Sequence, residues 1–432
     1  MNDVVNSWIR YHRMLRMFVR PNTYELKKNN ILSIYKTALR GRNIPADPYI
    51  YNSYQADIRQ IPELNAIICD INYFDIAKLV AISFYTSPTR DIIRLADALL
   101  ANSLLCHGKI NCSLEYARKF INGPYIAAFS AGANKDLTYK INASAQFQTS
   151  FAILHEIAHF EYNDLSNPLA GLLKEKLSDI VDSQNRTAEY INGLNLTAIA
   201  PYLDKINIQS AFSFPAPENC TETICEGMHQ LRTILSQYSH LIQTPELSDG
   251  ERDQMLVLAC NNYLRGQKAG ILDKEVLVVE GTCDLLALFE LLDYGLPGFN
   301  KVETLKLVID AYTLSLLTLD LREGAMNVHK YARGGGYDFV DTIHMRRETE
   351  KELLPTVIYL YSSVYDDCLS SSEINMLCEH YFNISKICDV MYAEFCEYVF
   401  SKKFKEPGFL PHGSPEWLEK YTEINRLLQY PV

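Results

Sequence analysis

The sequence contains no hydrophobic run long enough to span a membrane. Apolar runs such as Val276–Val279 and Leu285–Phe289 are far shorter than the roughly 20 residues that a helix needs to cross a bilayer. We also expect no secretion signal in the first residues, because Arg10, Arg13 and Arg16 interrupt their apolar pattern. We therefore expect a cytoplasmic protein that does not bind a membrane.

The chain also lacks an excess of basic residues. It has 41 Lys and Arg residues against 52 Asp and Glu residues, which gives a formal net charge of -11. Since nucleic-acid binding normally requires a basic face, we expect no nucleic-acid partner. The 11 cysteines form no dense framework, and an odd number of them in a cytoplasmic chain is typical of reduced thiols.

Hydrophobic residues are plentiful, at 48% of the chain, and their spacing predicts a mostly helical α+β protein with a small sheet. We predict a helical N-terminal region over 1–120, a central core over 121–300 and a helical C-terminal region over 301–432. A polar, Pro-containing stretch over about 183–268 is interpreted as an insertion in the core. The tail from Pro407 is predicted to be extended.

The central core contains two short strand candidates. Tyr125–Phe129 is an apolar run, and Leu137–Ile141 alternates polar and apolar residues as a half-buried strand does. A long helical pattern begins near Gln146 and runs through His159. The small sheet is therefore predicted to lie before this helix in the chain.

The predicted helix contains the pattern HExxH, formed by His155, Glu156 and His159. On a helix, residues four apart share one face at roughly 5–6 Å, so two imidazoles can hold one cation. Glu156 then points toward a metal-bound water and can take its proton. The residues around this triplet are apolar: Phe151, Ile153, Leu154, Ile157, Ala158 and Phe160. Because the burial of three ionisable groups is costly unless a partner compensates them, the pattern predicts a metal site.

The metal needs a third protein ligand, and the ligand pattern of one class of HExxH enzymes does not occur in this chain. Metzincins continue the motif with a Gly and a third His, which would fall at positions where this chain has Tyr162 and Leu165. Another class of HExxH enzymes, the gluzincins, uses a Glu on a second helix, with an Asp one turn later that bonds a ligand imidazole and orients it. A Glu-x-x-x-Asp pair downstream is thus expected.

Two such pairs occur, Glu175 with Asp179 and Glu280 with Asp284. The spacing alone does not choose between them, because one or two pairs are expected by chance. Glu175 lies in the charged run Lys174–Lys176, which is typical of a solvated helix face. Glu280 and Asp284 lie among apolar residues, where carboxylates need partners. Glu280 is therefore favoured as the third ligand, with Glu175 as the alternative.

The sequence HEIAH at His155–His159, followed by EGTCD at Glu280–Asp284, resembles the gluzincin metallopeptidases, the thermolysin-like clan. More loosely, QFQTSFAILHEIAHF together with an E-x-x-C-D helix resembles the bacterial phage-exclusion peptidases of the Lit type. The resemblance covers roughly residues 125–290 and is specific at the metal ligands. The N-terminal and C-terminal thirds resemble no family.

This resemblance implies a zincin-like catalytic core and a zinc-dependent metallopeptidase that cuts a protein or peptide substrate. It implies that His155, His159 and Glu280 bind zinc, that Glu156 is the general base and that Asp284 supports a ligand histidine. It also implies that the substrate lies along an edge strand before the active-site helix, a role for one of the two strand candidates. A regulated role in phage defence follows from the Lit-type resemblance alone.

A stabiliser of the developing oxyanion is also expected in such a site. We assign this catalytic role to His344, which shares a predicted helix face with Arg347. The alternative is a surface helix on which neighbouring glutamates pair with these cations. Cys283 is interpreted as a small core residue.

Two other functions compete with the peptidase. The first is a non-catalytic regulatory or binding protein of zincin fold with a structural metal. Glu156 argues against it, because a structural metal needs no base. The second is a hydrolase that uses the same centre on a small amide.

Overall fold

The computed structural model describes residues 21–39, 47–53, 56–86, 88–122, 135–162, 167–193, 259, 271–294, 300–331, 342–364, 369–400 and 410–428. Most of these residues are helical, and a three-stranded sheet lies among them. The prediction of a mostly helical α+β protein with a small sheet is confirmed. Within these ranges, no helix is long and apolar enough to cross a membrane.

The helices of the described residues are α1 (Pro21–Ala38), α2 (Tyr73–Thr86), α3 (Pro88–Cys106), α4 (Ile110–Ile121), α5 (Lys135–Glu161), α6 (Pro168–Gly193), α7 (Lys274–Leu291), α8 (Lys301–Tyr331), α9 (Thr342–Val364), α10 (Ser371–Phe400) and α11 (Pro415–Leu427). The strands are β1 (Asp47–Tyr51), β2 (Ile58–Ile61) and β3 (Ala66–Asp70). Helices α5 and α7 contain the two sequence motifs.

The sheet has the strand order β1-β3-β2, with β1 parallel and β2 antiparallel to β3. β3 (AIICD) is buried at every residue and forms the centre, whereas β2 lies at an edge. The prediction of a helical region over 1–120 is therefore incomplete, because this region holds the sheet. Strands of four or five residues are too short to establish a period of two beside long helical patterns.

Helix α5 carries the HExxH motif and includes the residues predicted as a strand, Leu137–Ile141. That strand prediction is wrong. Ile141 is completely buried against Ala81 and Ile82 of α2. A five-residue alternation is compatible with both structures, and the contact with α2 decides for the helix. The other strand candidate, Tyr125–Phe129, lies outside the described residues.

A large hydrophobic core cluster lies among α2, α3, α4, α8, α10 and α11. Leu104 of α3 and Leu317 of α8 are completely buried in it. Gly324 of α8 permits a close approach of α10, since a Cβ atom at this position would meet Cε1 of Phe395 at 3.1 Å. This core holds α8, which in turn packs against α5.

Contacts divide the chain into two units. The first unit comprises Met1–Lys174, Val279–Gly335 and Arg346–Val432, and the second comprises Glu175–Val278 and Gly336–Met345. Within the second unit, a small hydrophobic cluster joins Val181 of α6 to Leu272 and Leu277. The predicted insertion at 183–268 falls mostly outside the described residues, although α6 extends to Gly193. The three-region division of the chain stays a prediction.

The tail that was expected to be extended from Pro407 contains a helix, α11, so that expectation is wrong. The Ser414 hydroxyl caps this helix by accepting a hydrogen bond from the backbone N–H of Trp417 at 3.3 Å. Pro415 occupies the first turn, where proline is tolerated because that N–H needs no helical partner. The prolines of the tail thus mark a helix start.

Candidate metal centre

His155 and His159 lie one turn apart on α5, and their Nε2 atoms point toward each other. Their Nε2 atoms are 3.1 Å apart, and the ring planes are nearly perpendicular, at 87°. His155 is buried, and the side chain of His159 is 18% exposed. Two imidazole nitrogens at this distance can share one proton or bind one cation.

Glu280 of α7 joins His155 and His159 in a group that could hold a metal ion. We call these three side chains the metal group. Oε2 of Glu280 is 3.3 Å from Nε2 of His155, and its Oε1 is 3.7 Å from Nε2 of His159. In a tetrahedral zinc site with bonds of about 2.0–2.1 Å, the ligand atoms lie about 3.3–3.4 Å apart. The distances within this group bracket that value, so the three side chains fit a zinc ion with small adjustments.

Glu175, the alternative third ligand, is exposed on α6, and so is Asp179. Among the described residues, the group that could hold a metal ion contains His155, His159 and Glu280. The chain therefore brings Glu280, and not Glu175, into this group. The apolar surroundings of Glu280 in the sequence pointed to the same residue.

Each imidazole has a partner at its second nitrogen. Asp284 Oδ1 is 2.7 Å from Nδ1 of His155, and Cys283 Sγ is 3.5 Å from Nδ1 of His159. A partner at Nδ1 fixes the tautomer that leaves Nε2 available to a metal. Asp284 thus lies where the gluzincin resemblance places it. Cys283 is buried as expected, but it is more than a core residue because it contacts a candidate ligand.

Arg346 of α9 is buried and joins the two carboxylates of α7. Its Nη1 donates to Glu280 Oε2 at 2.8 Å, and its Nε is 2.5 Å from Asp284 Oδ2. Glu350, one turn further along α9, lies 3.8 Å from the same Nε and accepts a hydrogen bond from the Tyr312 hydroxyl. Arg346 therefore offsets the negative charge of Glu280 and Asp284 and holds both in place.

Glu156 lies between the metal group and the edge of the sheet. Its Oε1 is 3.9 Å from Nε2 of His155, and its Oε2 accepts a hydrogen bond from the backbone N–H of Gln60 at 2.6 Å. Gln60 belongs to the edge strand β2. The carboxylate is therefore beside the ligand atoms without being one of them, as a general base requires.

The charges of the metal-free group influence one another strongly. Burial lowers the pKa of His155, but the neighbouring Asp284 and Glu280 outweigh burial and raise this pKa to about 10. Burial and the positive charge of His155 lower the pKa of His159 to about 4. At neutral pH in the metal-free protein, the imidazole of His155 is therefore positively charged, and that of His159 is neutral. Burial raises the pKa of Glu156 to about 7, which suits a base that acts near neutral pH.

The oxyanion role assigned to His344 stays a prediction. His344 lies in α9, but its side chain is outside the described part of the structure. Arg347, its expected partner on the same face, is buried and forms ion pairs with Asp320 at 3.1 Å and Asp389 at 2.8 Å. Arg347 therefore connects α9 to α8 and α10, and it is the neighbouring Arg346 that reaches the metal group.

Sequence reasoning missed two contributors to this site, Arg346 and the backbone of Gln60. Arg346 and Glu350 have the i,i+4 spacing of residues that share a helix face. This spacing gives no indication that Arg346 reaches Glu280. Gln60 acts through its N–H group, which every residue except proline carries, so no side-chain pattern could have marked it.

Comparison of the chain with protein-family models, with curated proteins and with solved structures gave no match. The resemblance to gluzincins therefore stays a prediction from the two sequence motifs. A function must therefore be argued from the site itself.

Proposed function

We propose that this protein is a zinc-dependent metallopeptidase of the gluzincin type. The observation that carries the proposal is the arrangement of four side chains. The donor atoms of His155, His159 and Glu280 lie within 4.8 Å of one another, and the carboxylate of Glu156 lies beside them. Two imidazoles and one carboxylate, with the fourth position open, are a donor set of catalytic rather than structural zinc sites.

The residues of the site have separate roles in this mechanism. Zinc bound there would supply Lewis acidity, which acidifies water and polarises a carbonyl group. Glu156 accepts a proton from the attacking water and delivers it to the leaving amine. Asp284 holds His155 in the tautomer that coordinates through Nε2. Arg346 neutralises the surplus negative charge of the two α7 carboxylates.

A peptide is the substrate class that best fits the strand beside Glu156. The Asp57 carbonyl accepts a hydrogen bond from Asp70 N–H at 2.9 Å. By the alternation of antiparallel pairing, the backbone groups of Ile58 and Gln60 then point away from β3. The Gln60 N–H is taken by Glu156, but an extended peptide can add to the remaining groups of such an edge, and its scissile bond would lie next to Glu156. In this proposal, β2 takes the role that the resemblance implied for Tyr125–Phe129 or Leu137–Ile141.

The first test combines metal analysis with a cleavage screen of wild type beside Glu156→Gln. We expect about one zinc per chain in both proteins, because Glu156 is not a ligand. The variant should lose about 100- to 10,000-fold in cleavage rate, the contribution of a general base. Glu175→Gln, an exposed carboxamide change on α6, is the matched control and should retain wild-type activity.

The same screen separates the alternatives. Unchanged turnover by Glu156→Gln would rule out the proposed base. Zinc binding without cleavage of any peptide by the wild type would favour a non-catalytic binding protein with a structural metal. Turnover of small amides alone would favour the second alternative. A role in phage defence is supported only by the Lit-type resemblance, and it would require a phage-induced substrate in this screen.

A further inference from the structure

Arg59 lies on the edge strand directly before Gln60, the residue whose N–H bonds to Glu156. Its Nε donates to Asp57 Oδ2 at 2.5 Å. Despite this ion pair, 43% of the Arg59 side chain is exposed. It is thus a well-held guanidinium that solvent and a substrate can reach, next to the proposed scissile bond.

Asp57 also binds a second arginine. Arg322 of α8 lies 2.9 Å from Asp57 Oδ1, and its side chain is only 14% exposed. Two guanidinium groups therefore share one carboxylate. Burial lowers the pKa of Arg59, but the charges of Asp57 and Glu156 are among the causes that outweigh burial and raise it. Arg59 therefore lies within electrostatic reach of the catalytic carboxylate.

The strand geometry places this charge on one side of a bound peptide. Successive side chains of β2 point to opposite faces of the sheet, so Arg59 projects to the face opposite Ile58 and Gln60. A peptide that pairs with the outer edge of β2 would place every second side chain on the Arg59 face. Directly opposed residues of paired strands have Cβ atoms about 4.5–5.5 Å apart, which is within reach of a guanidinium.

The backbone before this pair is also unusual. Ala56 adopts a left-handed conformation with φ of 47°, which is disfavoured for a residue with a Cβ atom. It is held there at the entry to β2, directly before Asp57. Such strain concentrates at functional sites, where the surrounding structure maintains it.

We infer that Arg59 is a specificity-determining residue that binds an acidic side chain of the substrate, one that lies on the Arg59 face of a peptide paired with β2. The inference rests on the proposed peptidase function and names its substrate class as peptides with Asp or Glu at one fixed position near the cut. A guanidinium favours this ligand because its donors match a carboxylate in a bidentate arrangement. Arg322, being more buried, binds Asp57 without contacting the peptide.

The experiment is a cleavage profile of the zinc-loaded, full-length protein on a randomised peptide library. The peptides are acetylated and amidated, so that side chains are their only carboxylates. We expect Asp or Glu to be enriched roughly tenfold at one position, as one charge-assisted hydrogen bond allows. Arg59→Gln should remove this enrichment while other positions of the profile stay unchanged, and Arg59→Lys should retain part of it.

Two controls make the outcome decisive. Arg118 forms a comparable ion pair with Glu423, its side chain is 55% exposed, and it lies on α4, so Arg118→Gln should keep the wild-type profile. Zinc content is measured for each variant to show that the site is intact. Cleavage without an acidic preference, or the same preference in Arg59→Gln, would overturn the inference and leave the peptidase proposal standing. If the wild type cleaves no peptide, the peptidase proposal fails and the inference fails with it.

Discussion

Glu280 has two charged neighbours at one of its oxygen atoms. Its Oε2 lies 3.3 Å from His155 Nε2 and accepts a hydrogen bond from Arg346 at 2.8 Å. Its Oε1 is the oxygen directed toward His159. Burial disfavours the charged carboxylate, but the hydrogen bond and charge of His155 and the charge of Arg346 outweigh it and lower the pKa of Glu280 to about 2. The Glu280 carboxylate is therefore ionised at neutral pH, as a carboxylate that binds a metal must be.

At this scale we expect Glu280→Ala and His155→Ala to lose zinc and Glu175→Ala to keep it. The reason is that only the first two remove donor atoms from the group. Asp284→Asn should weaken zinc binding by about 10- to 100-fold, the usual effect of removing a partner of a ligand histidine. Metal analysis after dialysis measures all four variants. A Glu175→Ala protein that alone loses zinc would reverse the assignment of the third ligand.

Zinc binding should also depend on pH through His155. In the metal-free protein its pKa is raised to about 10, so at pH 8 it holds a proton that zinc must displace. Affinity should therefore fall by roughly tenfold for each unit that the pH drops below 10. His159, with its pKa lowered to about 4, adds no further proton until the pH approaches that value.

Calorimetry in two buffers of different ionisation enthalpy measures the displaced proton. We expect release of about one proton per zinc at pH 8. Asp284→Asn should release less, because the charge of Asp284 is the main cause that raises the pKa of His155. Zinc binding at pH 8 without proton release would show that His155 is neutral and would contradict this account.

At the scale of secondary-structure elements, the site depends on how β2 lies beside α5. β2 has only four residues, yet it supplies two groups. The Gln60 N–H bonds to Glu156, and the Arg59 guanidinium lies on the sheet face opposite the side chains of Ile58 and Gln60. Antiparallel pairing with β3 determines that Gln60 directs its backbone outward. The edge strand therefore places two different groups beside the Glu156 carboxylate through one register.

Gln60→Pro tests this element. Proline removes the N–H that donates a hydrogen bond to Glu156, but it removes no hydrogen bond to β3. Proline is also tolerated on edge strands. We expect zinc content and fold to be retained and kcat to fall by roughly 10- to 100-fold, the effect of a hydrogen bond to a charged group. Gln60→Ala, which keeps the N–H, should behave as wild type. Equal kcat values for the two variants would show that this hydrogen bond is irrelevant to catalysis.

At the scale of the whole molecule, the metal group joins parts of the chain that are far apart in sequence. α5 supplies His155 and His159, α7 supplies Glu280 and α9 supplies Arg346. α8 packs against α5 and is held by the large hydrophobic core cluster, while its Tyr312 hydroxyl supports Glu350 of α9. A metal ion bound to α5 and α7 would therefore cross-link the folded chain.

This cross-link predicts a thermal effect. Zinc at 1,000 times its Kd should raise the free energy of unfolding by about 4 kcal/mol, so the melting temperature should be higher with zinc than with a chelator. Glu156→Gln should show the same shift as wild type, and His159→Ala should show none. Calorimetric melting curves measure this. Identical melting temperatures with zinc and chelator would argue against a site in the folded state.

One part of this side-chain group could be predicted from the sequence because that part is local. The spacing of His155, Glu156 and His159 acts within one helix turn, and the helical period alone places both imidazoles on one face. Glu280 was favoured because a carboxylate in an apolar helix needs a partner. The sequence did not show that Arg346 is one of the partners of the Glu280 carboxylate.

By itself, the sequence determined the mostly helical class, the HExxH helix and the choice of Glu280 over Glu175. Only the tertiary structure decided that Leu137–Ile141 is helical, that the sheet lies in the N-terminal part and that β2 is the strand beside Glu156. It also brought Arg346, and not Arg347, to the metal group. The physical reason is range: periodicity and burial preference act over a few residues, whereas these outcomes depend on packing between segments whose separation no local pattern encodes.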